Sequence, residues 1–461
     1  MVGPNFMRPP APHVEQFEHG TPVQGPLAGA GAVQTFSSSA DVPADWWVLF
    51  GSPAIDAAVS EALTGNATVE GAQAALRQSE DQLRAGAGVF FPQAQAGFGA
   101  SREKYSPLRV GQTGPSSLFS LFTLSTTISY ALDIWGGERR MVEGLHAQSD
   151  AQRYQVLATY LTLTSNVVNT MIARAAYTDE IAATREMADL VREQIVVTEA
   201  QVQAGAAAYS AVLTLENELA TLEAQIPALE QKRVQAENLL ATLSGLLPAD
   251  WHAPPLTLAD IALPATLPET VPSELVRRRP DILQAEAVLH VASANIGVAT
   301  ANMLPGITLS ASGGYDSASM GALLERSGQI WSVAANISAP LFEGGTLWYQ
   351  RKAALDSFAG ARATYRSVVL NAFEQVADSL RALENDARAL DAQSRALQSA
   401  GEALRLIKAD YTAGTVGYVE ILIADGQLHQ ARIAWLQGVA QRLQDTVSLY
   451  VALGGGWKEP Q

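Results

Sequence analysis

Four short stretches of this chain alternate in polarity along most of their length. In 93–101, 122–130, 307–312 and 331–338 an apolar or small side chain alternates with Ser, Thr, Asn or Gln, so one face is mostly apolar and the other polar without charge. A period of two predicts β-strands. The longer stretches between them follow a 3,4 spacing instead. From Phe373 onward, Val376, Leu380, Leu383, Ala387, Leu390, Leu397, Leu404 and Tyr411 mark one seam, broken only at Ser394, Gly401 and Lys408. Leu219, Leu222, Ile226, Leu229, Ala236, Leu240 and Leu243 mark another, with Arg233 out of pattern and Pro227 a predicted kink. No proline lies between Glu138 and Gln203 or between Gly345 and Thr412. Each of these helices can therefore run about 60 residues, or roughly 90 Å at the α-helical rise.

The pattern occurs twice. Segment 61–92 aligns without gaps on 274–305, an offset of 213, and Gly205, Tyr209 and Leu219 match Gly414, Tyr418 and Leu428 at an offset of 209. Matching proline and glycine punctuation at nearly one offset marks a tandem duplication. The copies span 53–250 and 271–455, each reading helix, strand, strand, long helix, tight turn, helix. An extended N-terminal strap (1–52), a proline-rich linker (251–270) and a short tail (456–461) complete the chain; Ala28-Gly29-Ala30-Gly31 in the strap reads as linker. The fold class is mainly α with a β-barrel part.

Four strands cannot close a barrel, since about eight are needed even for a filled one. Two copies of the chain supply eight strands and three supply twelve, enough for a lumen. The expected outward face is Ala94, Ala96, Phe98, Leu124, Ile128, Ile307, Leu309, Val333 and Ile337. The expected lumen face is Gln95, Ser125, Ser129, Thr308, Ser310 and Asn336.

Composition narrows the function. Of 461 residues, 48% are hydrophobic, only 16% are charged and the net charge is −16, with no basic block. That balance argues against nucleic acid or an anionic membrane surface as partner. No cysteine is present, so disulfides and thiolate metal sites are excluded. No apolar run approaches the length of a membrane-spanning helix and no signal peptide is expected, although barrel strands escape hydropathy scans. His290 and His429 have no partner at metal-ligand spacing, and the seven methionines do not cluster. Nucleophile-elbow, phosphate-loop and zincin motifs are absent, so neither an enzyme nor a cofactor or metal site is expected.

Several words of the sequence then carry a resemblance. Val2-Gly3-Pro4-Asn5-Phe6 with Pro9, Trp46-Trp47-Val48-Leu49-Phe50 with Pro53, Arg278-Arg279-Pro280-Asp281-Ile282 followed by Ala285-Glu286, Ile296-Gly297-Val298-Ala299 and Pro305, and Pro340-Leu341-Phe342-Glu343-Gly344-Gly345 occur in order along the chain. Together with the duplicated plan they resemble the TolC/OprM-type outer-membrane efflux proteins, in their lipoprotein branch. The resemblance implies a homotrimeric duct in the outer membrane of a Gram-negative bacterium. It has a twelve-stranded barrel in outer-membrane lipid and a twelve-helix periplasmic tube, served by a periplasmic adaptor and an inner-membrane pump of the RND type, with lipidation inferable only by analogy. It also implies adaptor contacts at the tips holding Gly205, Tyr209, Gly414 and Tyr418, and a periplasmic gate at Tyr411, Val419, Glu420, Ile423 and Asp425. Here the sequence departs from the family: Ile423 stands where a carboxylate is usual, Val416 where one branch has arginine, and Asp425 is the nearest acidic substitute. The Arg278–Asp281 word itself reads as a helix start rather than a transport site. A type I protein-secretion exit channel is the alternative within this fold. A soluble helical-rod scaffold is the alternative outside it.

Overall fold

The computed structural model describes residues 1–12, 27–29, 32–37, 41–268 and 272–457. Parts of the strap and of the tail lie outside the described residues. In chain order come β1 (Leu27–Gly29), β2 (Ala32–Ser37), α1 (Pro53–Gly65), α2 (Ala67–Gly86), β3 (Gln93–Tyr105), β4 (Ser117–Leu132), α3 (Gly137–Gln203), α4 (Tyr209–Leu243), β5 (Thr266–Pro268), α5 (Pro272–Arg278), α6 (Pro280–Ala301), β6 (Gly306–Ser317), β7 (Gln329–Ser338), α7 (Thr346–Thr412) and α8 (Tyr418–Ala452). The duplication is visible in the helix lengths: α3 and α7 have 67 residues each, and α4 and α8 have 35 each. At 1.5 Å per residue the long pair is about 100 Å in length, slightly beyond the sequence expectation. Pro227 lies inside α4 without ending it. The hydropathy of α3 and α6 reaches that of a membrane span over one window each, but half of each window is buried within the protein. These are core helices rich in small apolar residues.

The chain divides into two compact units. The first comprises Met1–Pro9, Ala75–Arg153 and Gln284–Arg366. Its centre is an antiparallel sheet of order β3-β4-β6-β7, in which the β4–β6 pairing joins the two repeats. The strands run past the segments of strict alternation, β3 to 13 residues and β4 to 16. The first nine residues are tied down beside the sheet. Val2 N donates to Trp135 O at 2.9 Å, and Arg140, only 2% exposed, donates from Nη2 to Asn5 Oδ1 at 2.6 Å. Phe6 stacks on His290 at 4.2 Å, and His290 Nε2 lies 2.9 Å from Glu143 Oε1, so this histidine has a structural place. Gly3 (φ +83°) packs its backbone on Gly297, where a Cβ at residue 3 would fall 2.5 Å from the Gly297 Cα. Only glycine fits that approach.

The second unit comprises Pro10–Ala74, Tyr154–Leu283 and Ser367–Gln461. In its core Trp46 stacks on Tyr450 at 5.8 Å, with Phe50 edge-on to both. Ile55 and Val59 of α1 are fully buried. The heptad seam reading holds here: Val376, Leu383, Ala387, Leu390 and Leu404 of α7 are buried, as are Leu222 and Leu240 of α4. Pro280 opens α6 with Asp281 in its first turn. The buried Arg279 beside it bonds Asp281, the Ala452 carbonyl at 2.9 Å and Gln375 Oε1 at 2.9 Å, joining three helices.

The strap departs from the linker reading. Leu27–Gly29 pairs antiparallel with β2, and β2 pairs in parallel with β5 of the inter-repeat segment. The backbone of two apparent linkers is thereby satisfied in a three-stranded sheet, as burial requires. Arg442, 1% exposed, fixes the sheet to α8 by donating to Gln34 Oε1 at 3.1 Å and to the Leu27 carbonyl at 2.7 Å.

Near that arginine, Asp386 of α7 hydrogen-bonds Asp445 of α8. Burial first, and then the second carboxyl, push Asp386 up to about 7, while Arg442 opposes the shift. A carboxyl raised in the folded state keeps its proton while the unfolded chain loses one, so stability falls as pH rises from about 4 to about 7. Asp386→Asn is expected to raise thermal stability at pH 8 and to leave it unchanged at pH 3.5. Melting curves at the two pH values check this; an equal effect at both would mean that Asp386 ionises normally.

Candidate functional site

Two features carry the chemistry. The first is the four-stranded sheet. Its register pairs Ala94 with Ile128, Phe98 with Leu124, Leu309 with Tyr130, Ile307 with Ile337, and Val333 with Ala311. Directly paired residues share a face. All nine residues expected outward therefore lie on one face, and all six expected in the lumen lie on the other. The apolar face is open, with Phe98 56%, Val333 75% and Ile337 72% exposed. The polar face carries its own hydrogen bonds: Ser312 to Ser332 at 2.8 Å, and Thr123 Oγ1 donating to Asp316 Oδ1 at 2.7 Å. Gln95, Ser125, Ser129, Thr308, Ser310 and Asn336 give that face donors and acceptors with no net charge. The sheet ends at β3 on one side and β7 on the other, each with a single neighbour among the described residues. Two rows of backbone N–H and C=O groups are thus left open.

The second feature is the pair of helix tips. At both, the long helix closes in the same way. Gly205 (φ +70°) donates its N–H to Val202 O and Ala206 to Gln201 O; Gly414 (φ +73°) donates to Tyr411 O and Thr415 to Asp410 O. This double bond over a left-handed residue is a Schellman cap, and it explains why glycine stands at both positions. The side chains around the two turns differ. Tyr209 is 61% exposed. Tyr418 is half-buried, packed between Met187, Val191 and Leu215 on one side and Leu404, Ile421 and Ala424 on the other. Burial, with Asp425 and Tyr411 adding to it, raises the Tyr418 phenol far above its ordinary value, so it stays neutral. Its ring meets Tyr411 edge-on at 5.7 Å, and Gln201 Nε2 donates to the Tyr411 hydroxyl at 3.2 Å.

The expected gate residues do not all behave alike. Val419 and Ile423 are 57% and 55% exposed, which leaves both open to a partner surface. Glu420 is exposed in the first turn of α8, where the helix dipole favours an acid. Asp425 corrects the expectation. It is only 2% exposed, accepting from Gln194 Nε2 at 3.1 Å and lying 3.5 Å from Lys408 Nζ, so it cannot supply an open carboxylate ring. It instead fastens α8 to α3 and α7. Neither Gln194, Gln201 nor Lys408 stood among the expected site residues. Lys408 had a signal: it breaks the seam of α7, and its exposed ammonium reaches the buried Asp425 across the turn.

The model of the outer membrane efflux protein family matches residues 58–246 and again 271–455. The pyoverdine export outer membrane protein OpmQ of Pseudomonas aeruginosa is 31% identical over 423 residues, covering 90% of this chain and 87% of that protein. The probable efflux pump outer membrane protein TtgC of Pseudomonas putida is 30% identical over 467 residues, covering 99% and 92%. Among solved structures, the outer-membrane channel OprN superposes with a TM-score of 0.89 at 25% identity, over 99% of both chains.

The two faces of the sheet make opposite demands. Leu309→Arg is expected to cost about 2–4 kcal/mol near a bilayer midplane and to reduce the folded yield in membranes, whereas Ser310→Arg should be tolerated. Heat-modifiability of the two variants on gels reads the difference. Equal tolerance would place both faces in water.

Proposed function

Because the chain belongs to the outer membrane efflux protein family, we propose that it is the passive exit duct of a tripartite, RND-type efflux system, built from three copies of this chain. Its place is the outer membrane, with a long periplasmic part, and a soluble rod scaffold is not a member of this family. One observation carries the trimeric reading: a sheet with an apolar face, a polar face of hydroxyls and amides with only Glu103 and Asp316 as acids, and two open edges. In hydrocarbon each unpaired backbone group costs several kcal/mol, so the edges must find each other. Four strands from each of three chains make twelve, wide enough to leave a lumen lined by Ser, Thr, Gln and Asn.

The lumen face has no nucleophile, no metal cluster among the described residues and no row of like charges. It offers a wet wall over which solutes of varied chemistry can pass. Choice of cargo therefore belongs upstream, to an inner-membrane pump joined to the tips by a periplasmic adaptor. The tips at Gly205 and Tyr209 and at Gly414 and Tyr418 supply the docking edges. Gating belongs to the second tip, where three copies of Val419 and Ile423 form apolar constrictions that resist wetting and Glu420 adds a negative ring. Lys408, Asp425, Gln194, Gln201 and Tyr411 hold each tip in its resting packing.

Mass measurement of the detergent-solubilised protein is expected to give three protomers; two or four would refute the stoichiometry and leave edge closure intact. In planar bilayers, Val419→Ala with Ile423→Ala is expected to raise single-channel conductance, and Glu420→Gln to lower cation preference. Unchanged conductance in the double variant would move the constriction elsewhere.

A further inference from the structure

The charges on β3 are sorted by the pleat. Arg102 and Lys104 stand on the same face as Ala94, Ala96 and Phe98, while Glu103 between them stands on the lumen face, where Ser101 Oγ donates to its Oε1 at 3.2 Å. All three are exposed. Their level on the strand is as telling as their face. A strand crosses a bilayer in about 9–11 residues. Counting from Gln93, which follows α2, Arg102 is the tenth residue of β3 and Lys104 the twelfth, next to the hairpin end at Tyr105 and Ser117. That end is the one remote from the helices, so it faces outward.

The outer face therefore reads, from the helix side, as apolar from Ala94 to Phe98, with Ile128, Leu124 and Phe122 on β4, and then as two cations. Neither cation joins a side-chain hydrogen bond or ion pair among the described residues. Their cross-strand partners are Ser120 and Leu118, which carry no charge. Closure of the sheet by a second copy brings no carboxylate from the adjoining strand either, because β7 reads QIWSVAANIS. A cation on the lipid face of a barrel is costly at the midplane and nearly free at the interface. Long basic stems lie along apolar surface while their heads reach the polar layer, and a guanidinium matches a phosphate with two parallel bonds.

We propose that Arg102 and Lys104 bind the phosphate groups of anionic lipid in the outward-facing leaflet. The proposal rests on the reading of the sheet as a lipid-facing barrel wall. It also limits the argument from net charge: a chain at −16 repels an anionic surface on average, but the pleat gives this stretch of the wall a locally positive outer face.

The test uses the full-length protein in detergent with equal amounts of phosphatidylglycerol and phosphatidylcholine, bound lipid being counted by native mass spectrometry. The wild type should retain phosphatidylglycerol preferentially. Arg102→Gln and Lys104→Gln should each reduce that preference about fivefold, as loss of one cation near a lipid surface implies, and Glu103→Gln should leave it unchanged. Equal retention of the two lipids by the wild type, or an undiminished preference in the double variant, overturns the proposal. A photo-reactive phenylalanine at Ile337 separates this from the barrel reading. Lipid adducts there together with no headgroup preference sink only the phosphate site, whereas absence of lipid adducts sinks the lipid-facing wall as well.

Discussion

A strand in hydrocarbon has no water to bond its edge, and this constraint organises the molecule. Within the chain, β4 and β6 satisfy each other across the repeat boundary, but β3 and β7 each keep one open edge. No rearrangement inside a four-stranded sheet can remove both edges. On the proposed reading the chain supplies part of a closed wall, and its other features suit the closing: an apolar face, a polar face, and long heptad helices that also leave much of their surface open. The buried arginines work in the opposite sense, inward. Arg140 grips the first residues, Arg279 joins three helix ends, and Arg442 fastens the strap sheet to α8. Each is nearly inaccessible and bonds backbone carbonyls and amide oxygens, and Arg140 and Arg279 bond an acid as well. Together they give a chain with so much open surface a defined protomer to assemble from.

Much of this architecture was legible from period and punctuation. Strict alternation gave both faces of the sheet, because a register with period two leaves only two choices and the apolar set decides between them. The proline-free intervals gave the long helices to within a few residues, and the repeated Gly and Tyr gave both tips. What stayed hidden was pairing over long separations. Nothing local in residues 32–37 says that they lie beside 266–268, more than two hundred positions later. Asp425 reads as an exposed acid near a turn, since its burial depends on Gln194, 231 residues away. Lys408 was visible as a break in a seam, but its meaning required the neighbouring helix.

The charges teach the same lesson at another scale. A net charge of −16 describes the chain as seen from far away, beyond the screening length of salt water. Close up, the pleat of β3 places Glu103 on one side of the wall and Arg102 and Lys104 on the other. In helix α8 the acids separate likewise, Glu420 to solvent and Asp425 to the interior. Local geometry, not composition, decides which partner meets which sign.

The equal lengths of α3 and α7, and of α4 and α8, bear on how such a chain can change over generations. A few residues inserted into one long helix alone would rotate its seam by 100° per residue and carry one capped tip past its counterpart. Only gains or losses close to whole heptads, made at matching places in both repeats, keep seams and tips together. A point substitution leaves both seams and both tips in register, whereas a change of length in one repeat disturbs them. A shift in reach demands two coordinated events, a condition that the tandem duplication itself imposed when it first doubled the unit.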